Sequence, residues 1–195
     1  MKNLISVSGP RCAGKETFLR FIEKRNYGIP RIVPFTTRPI RPGETHGKEL
    51  FFITKEDFYN LQKHSEISYC VRIGEESDPS HYYSGTLKEE LERHETGIVD
   101  ITPAGASILA QYAEQSLKIF VFAHEHERLS RAMERQGISF AEAKIFLSNE
   151  PSPSTIETVH DMYPDFEIIC NHDGFRNRAL VKCARLIEEF ISVYA

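Results

Sequence analysis

The 195-residue sequence has no strong excess of charge, no cysteine pair, no histidine cluster and no long apolar run. Each absence removes a class of function. With 24 Lys+Arg against 28 Asp+Glu the formal charge is −4, which excludes a protein that holds nucleic acid by overall charge but leaves room for a basic pocket around a small anion. Cys12, Cys70, Cys170 and Cys183 form no C-x-x-C, so neither a zinc knuckle nor a thioredoxin-type site is indicated, and reduced, mostly buried thiols in a cytoplasmic protein are expected. His124 and His126 would diverge on a helix, and H-E-x-x-H does not occur. No stretch approaches the roughly 18 apolar residues of a membrane span, and the apolar run at 4–7 is too short for a secretory leader. There is no internal repeat. Hydrophobic residues at 41% and charged residues at 27% describe an ordinary globular protein, expected as one unit over 1–195 that needs no staples to fold.

Apolar runs at 4–8, 31–33, 97–101, 117–122 and 166–170 read as buried strands. Helical patterns at 17–24, 55–64, 87–95, 103–115, 125–135, 139–148, 155–162 and 175–194 fall between and after them. The charged run at 88–93 reads as a solvated helix face. The proline-rich segment 150–154 breaks the chain, and 36–48 reads as loop. Strands alternating with helices predict an α/β fold with a parallel sheet covered on both faces. The mixed interval 34–95 interrupts that rhythm as an inserted lobe.

Between the first strand and the first helix stands Gly9-Pro10-Arg11-Cys12-Ala13-Gly14-Lys15-Glu16-Thr17, which fits G-x-x-x-x-G-K. Glycines let several N–H groups point at one oxyanion, the helix N-terminus adds positive potential, and Lys15 supplies a mobile charge for the β- and γ-phosphates. The position after the lysine, normally Ser or Thr touching Mg²⁺, is Glu16. Either Glu16 meets the ion, directly or through water, or it faces away and leaves Thr17 to hold a phosphate. Asp100 ends a predicted parallel strand where such sheets hold ligands, suited to a water-bridged metal or to the acceptor; as a structural residue it would cap the next helix.

In Thr36-Thr37-Arg38-Pro39-Ile40-Arg41-Pro42-Gly43-Glu44, arginines three residues apart in a proline-braced loop can converge on one dianion. This stretch and the P-loop together resemble the guanylate kinase family, and the likeness runs nearly the full length. Gly47-Lys48, Phe51-Phe52-Ile53, Tyr82-Tyr83 with Gly85, Ile98-Val99-Asp100-Ile101 with Gly105, Arg128, Arg131 with Arg135-Gln136-Gly137, and Ile169-Cys170-Asn171 follow in the family's order. The resemblance implies a P-loop nucleoside-monophosphate-kinase-like three-layer fold: core 1–33, 96–124 and 155–195, acceptor-binding lobe 34–95, lid 125–154. It implies ATP with Mg²⁺ on residues 9–17 and Asn171, and a phosphorylated small molecule on Arg38, Arg41, Glu44, Tyr83 and Asp100. Arg131 and Arg135 would close over the transferring group beside Lys15. A monomer or homodimer, with no nucleic-acid or membrane partner, is expected.

Several positions depart from that family pattern. Pro34 and Phe35 stand where a serine usually reads guanine, Leu50 where a tyrosine reaches phosphate, Tyr69 where a glutamate binds the base, and Thr102 where a second aspartate follows Asp100. Phe146-Leu147 replaces the lid's Arg-Leu, with Lys144 nearby as a substitute, and an insertion at 75–80 could bring Glu75, Glu76 or Asp78 to the pocket. The phosphate-holding parts remain while most guanine readers are gone. The acid after the P-loop lysine and the Thr-Arg-Pro loop are also similar to ribose 1,5-bisphosphate phosphokinases of the same superfamily. The implied activity is therefore an ATP-dependent kinase acting on GMP, dGMP or a sugar phosphate, the alternatives being a non-catalytic guanylate-kinase-like binding module and an NTP-binding regulator.

Overall fold

The opening apolar run makes β1 (Asn3–Ser8), buried along its whole length. A computed structural model describes residues 1–41, 43–148, 153, 155–174 and 176–194. Pro42 of the proline-braced loop, Phe175 at the expected start of the last helix and, apart from Pro153, the expected break at 150–154 lie outside the described residues.

From β1 the chain passes through the glycine loop into α1 (Lys15–Lys24), which buries Phe18, Leu19 and Ile22, the face its spacing predicts. The strand expected at 31–33 is reduced to one bridge, Arg31 to Ile98. There Ile32 N–H donates to the Ile98 carbonyl at 2.8 Å and Ile98 N–H to the Pro30 carbonyl at 3.0 Å. Pro30 and Pro34 flank it, and proline has no N–H with which to extend a ladder.

The interval that follows carries its own sheet: β2 (Phe35–Thr36), β3 (Phe51–Phe52), α2 (Lys55–Lys63), β4 (Ile67–Ile73) and β5 (Tyr82–Leu87). The strand order is β3-β2-β5-β4, with β4 and β5 an antiparallel pair. A reciprocal cap starts α2: Asp57 N–H donates to Thr54 Oγ1 at 3.0 Å, and the Asp57 carboxylate accepts Thr54 N–H at 3.1 Å. The β4–β5 pair has no short turn signature between its strands, only the charged stretch 75–80, and sequence pattern alone did not expose it. Next comes α3 (Lys88–Glu92), where the structure corrects the expected solvated face. Glu90 is 2% exposed; its carboxylate accepts Val33 N–H at 3.2 Å and pairs with Arg93 at 2.5 Å, tying the entry of the lobe to its exit.

The chain then forms β6 (Thr96–Asp100), α4 (Pro103–Leu109), β7 (Gln115–Phe122), α5 (Glu125–Gln136), α6 (Phe140–Ser148), α7 (Ile156–Met162), β8 (Glu167–Cys170) and α8 (Arg176–Tyr194). The helix expected to reach residue 115 ends at Leu109, passes into a 3₁₀ turn (Ala110–Tyr112), and yields Gln115 to β7. No glycine or proline marks that stop; the pairing of Gln115 with Asn3 on β1 sets it.

Strand order β6-β1-β7-β8, all parallel, makes the core sheet. Alternate residues point to opposite faces. Ile5, Val7, Ile119 and Val121 pack with Phe18 of α1 and with Cys183 and Ile187 of α8. Phe120, Phe122 and Ile168 pack with Ala106 of α4 and Val159 of α7. This is the three-layer arrangement expected from the alternation of strands and helices. α5 and α6 bury Leu129, Ala132, Ala143 and Leu147 between them, with Cys12 of the glycine loop and Phe146 at the rim. Among the described residues no helix is long and apolar enough to cross a membrane. The cysteines are free, and burial pushes the Cys183 thiol up to about 12.

Phe18, 1% exposed, couples the helix behind the glycine loop to the sheet. Phe18→Ala is expected to lower the unfolding free energy by about 3–5 kcal/mol in a chemical denaturation curve.

Candidate active site

Between β1 and α1 the backbone must turn sharply while touching the sheet. Gly9 has φ 140°, and a Cβ there would lie 2.3 Å from the Val121 carbonyl oxygen of β7. Gly14, with φ 105°, precedes the first turn of α1, and its Cβ would meet Asn171 Nδ2 at 2.2 Å. Asn171 fills that space: Nδ2 donates to the Ala13 carbonyl at 2.6 Å, while its backbone N–H donates to the Phe122 carbonyl at 2.7 Å. Glycines thus set the curl, and Asn171 ties it to the ends of β7 and β8. Lys15 Nζ folds back over the loop, donating to Gly9 O at 2.7 Å and Pro10 O at 3.3 Å. Loop amides, the N-terminus of α1 and this ammonium converge as an anion site.

α5 lies along the other side of the loop. Arg131 donates to the carbonyls of Cys12 at 3.3 Å and Asn171 at 2.8 Å, and to Asp173 Oδ1 at 2.8 Å. Arg135, exposed and one turn further along the same helix face, stands beside Cys12. Burial pushes the Cys12 thiol up, and the nearby charges of Arg135, Lys15, Arg128 and Arg11 oppose the rise. From α6, the Phe146 carbonyl accepts Arg11 at 3.3 Å, and the Arg11 guanidinium sits 5.0 Å above the Phe146 ring. Lys144 is turned to the Phe140 ring, 5.9 Å from its centroid, rather than to the loop.

Glu16 faces away from the loop. Its carboxylate accepts Arg20 Nε at 3.0 Å and an Arg31 nitrogen at 3.1 Å, and burial raises its pKa less than these partners lower it. Thr17 Oγ1 accepts a hydrogen bond from Arg176 at 3.1 Å. Of the alternatives for Glu16, the structure adopts the one in which its carboxylate is spent on arginines. Among the described residues no group of three metal-ligating side chains comes together.

A cavity of about 210 Å³ lies between loop and lobe, on the side where the sequence places the acceptor. Gly9, Lys15 and Asp100 form its core end; Tyr69, Val71 and Ile73 of β4 face Ser84 and Thr86 of β5 along its lobe wall. Pro34, Leu50, Gly85, Ile101, Thr102 and Pro103 complete it. Strand pairing explains the wall, since Tyr69 is opposite Thr86 and Val71 opposite Ser84, and every second residue shares a face. Tyr69 OH and Thr102 Oγ1 are 2.7 Å apart, a hydrogen bond from the lobe to the cap of α4. Thr102 Oγ1 also accepts Gly105 N–H at 3.2 Å, so the helix cap foreseen as Asp100's structural role belongs to Thr102.

Other expected acceptor residues lie elsewhere. Tyr83, on the opposite face of β5 from Ser84, stacks on Phe58 at 4.1 Å and does not line the cavity. Arg38 and Arg41 gather around Glu44 rather than an open dianion site. Arg38 donates both guanidinium nitrogens to the Glu44 carboxylate, at 2.6 and 2.8 Å, and lies over the Phe52 ring. Arg41 N–H donates to the same carboxylate at 2.8 Å while the residue is exposed. Of the inserted acids, Glu76 pairs with Arg72 at 2.8 Å and Asp78 accepts from Ser80 at 2.8 Å; neither they nor Glu75 line the cavity. Sequence reading missed Val71, Ile73, Ser84 and Thr86. The signal that could have found them is the alternation in Tyr69-Cys70-Val71-Arg72-Ile73.

A P-loop feeding the first helix of a parallel sheet, a lobe inserted after the second sheet segment and a helical pair laid over the loop define an α/β protein with the P-loop fold of the monophosphate-kinase type. The family model described as guanylate kinase matches residues 1–190, and the chain belongs to the guanylate kinase family. A guanylate kinase of Symbiobacterium thermophilum is 31% identical over 72% of this chain and 65% of its own length. One of Bacteroides thetaiotaomicron is 34% identical over 60% of this chain and 58% of its own, so both matches span less than two thirds of the relative. One of Vibrio parahaemolyticus is 27% identical over 95% of this chain and 90% of its own. The crystal structure of guanylate kinase from Anaplasma phagocytophilum superposes with a TM-score of 0.60 at 17% identity, over 96% of this chain and 85% of that one, a likeness of fold.

Gly9→Ala is expected to displace the loop, because its new methyl meets a strand carbonyl that cannot move; calorimetry should register the loss as absent ATP binding. The Arg38 fork holds the Glu44 carboxyl down from 4.5 to about 2, so the clamp is present above pH 4.5 and is lost only as pH falls through about 2. A carboxyl NMR titration of Glu44 with a midpoint near 4.5 would show the clamp open.

Proposed function

We propose that this chain is an ATP-dependent phosphotransferase that moves the γ-phosphoryl group of ATP onto a phosphate already carried by a small acceptor. The observation that carries the reading is the shared cavity: Lys15 and Gly9 of the donor loop and β4–β5 of the lobe line one space, with Asp100 between them. Phosphoryl transfer asks the protein for in-line positioning and charge neutralisation rather than covalent chemistry, and this arrangement offers both.

In this reading the loop amides and Lys15 hold the ATP phosphates, and Asn171 and Arg131 brace the loop that presents them. Arg135 closes over the transferring group from α5, and closure excludes the water that would compete as acceptor. Asp100 orients the acceptor. Arg38 and Arg41 take its phosphate once that phosphate competes with Glu44 for the Arg38 fork. Mg²⁺ fits as an ion that enters on the triphosphate, with Asp100 as the cavity's carboxylate to hold it directly or through water; it supplies charge neutralisation on the phosphate oxygens.

The intact P-loop speaks against a purely scaffolding module. Incubation with Mg-ATP and a panel of GMP, dGMP, other monophosphates and ribose 1,5-bisphosphate tests the reading, and no acceptor-dependent ADP release would end it. Lys15→Ala is expected to lower turnover on the order of 10²-fold or more, measured by coupled ADP detection, as loss of preorganised charge at the transferring group does.

A further inference from the structure

The acceptor cavity has a polar end and an apolar wall, and the wall's own polar atoms are largely spoken for. Tyr69 OH and Thr102 Oγ1 bond to each other at 2.7 Å. Ser84 Oγ donates to the Phe35 carbonyl at 3.0 Å. Val71, Ile73, Ile101, Leu50 and Pro34 offer hydrocarbon. Thr86 also lines the cavity, but it is 0% exposed and its Oγ1, which has no hydrogen-bond partner, is closed off from the open space.

Reading the edge of a nucleobase requires groups whose donor or acceptor character is fixed, such as carboxylate, amide or guanidinium. Among the described residues, no side chain on the lobe side of the lining is of this kind. The cation in the lining is Lys15, at the phosphate-transfer end; with Arg38 and Arg41 assigned to the acceptor's one phosphate, no described residue of the lobe wall offers a charge for a second phosphate on a sugar. A flat neutral ring against the β4 side chains suits the wall better than a polyanionic polyol does.

Resting on the phosphotransferase reading, we infer that the acceptors are nucleoside monophosphates taken with little regard to base, selected by their phosphate and by apolar contact with Val71, Ile73 and Ile101. Pockets of this kind discriminate by about 10–200-fold, whereas sites with fixed hydrogen-bonding groups reach about 10⁴–10⁵. Tyr69 is a positioning residue here: it joins the lobe to Thr102 and does not read the base.

The test measures kcat/KM with Mg-ATP for GMP, IMP, AMP, UMP and ribose 1,5-bisphosphate, together with calorimetric binding of the same compounds without ATP. The monophosphates are expected to fall within about 200-fold of one another in both measurements, with the bisphosphate below them all. A wider spread among the bases, or the bisphosphate as the best acceptor, overturns the inference. If nothing is turned over while the monophosphates bind with similar Kd, the phosphotransferase reading fails and the inference about the pocket stands. Y69F should leave the ranking of bases unchanged while shifting KM for all of them in common; a loss confined to one base would make Tyr69 a reader and overturn its assigned role.

Discussion

The close seat of the glycine loop against the sheet is the constraint on which the rest of the structure depends. Gly9 approaches the Val121 carbonyl nearer than any side chain permits, and Gly14 leaves the space that the Asn171 amide occupies. These contacts fix where the N-terminus of α1 points and bring Lys15 back across the loop. They also decide what can surround it. Arg131 reaches the loop carbonyls because α5 begins just beyond β7, the strand on which Gly9 rests. Cationic groups from separate parts of the chain thereby share one focus without a buried, uncompensated charge, since Lys15, Arg11 and Arg131 are each bonded to a carbonyl or carboxylate.

The lobe answers to a different constraint. Its β4–β5 pair has one face toward the loop and one away, and the pleat assigns residues to each. Tyr69, Val71 and Ile73 face the cavity; Tyr83 falls on the opposite side and packs with Phe58. Glu90, buried between the entry and exit of the lobe, and the Tyr69–Thr102 bond join the two parts of the molecule at separate points. Arg38 and Glu44 hold the intervening loop in shape by a bidentate pair, a geometry a lysine could not reproduce.

Much of the core was legible before any coordinates. The alternation of apolar strands with amphipathic helices, the glycine motif and the acid at the end of β6 are local patterns, and the structure places them as those patterns predict. Failures came where distant parts of the chain decide. Pro30 and Pro34 cut the strand at 31–33 to a bridge, and pairing with β1 ended the helix that was to run to residue 115. The charged run of α3 looked solvated along its length, yet Glu90 is buried because Val33 needed an acceptor. Of the inserted acids, Glu76 and Asp78 turned to their own neighbours instead of the pocket.

By itself the sequence determined the anion-binding loop, because its function lies in contiguous backbone whose curl needs glycine at stated positions and a lysine at the mouth of a helix. It also determined the parallel three-layer core, whose periodicities are written in successive residues. Only the tertiary structure decided that Glu16 serves arginines, that Tyr83 turns outward, and that the lobe wall of the cavity is largely hydrocarbon and joined to the core by a tyrosine–threonine bond. Those outcomes depend on strand register and on which side chains meet across more than thirty positions of chain, such as Tyr69 and Thr102, and no local pattern encodes such a meeting.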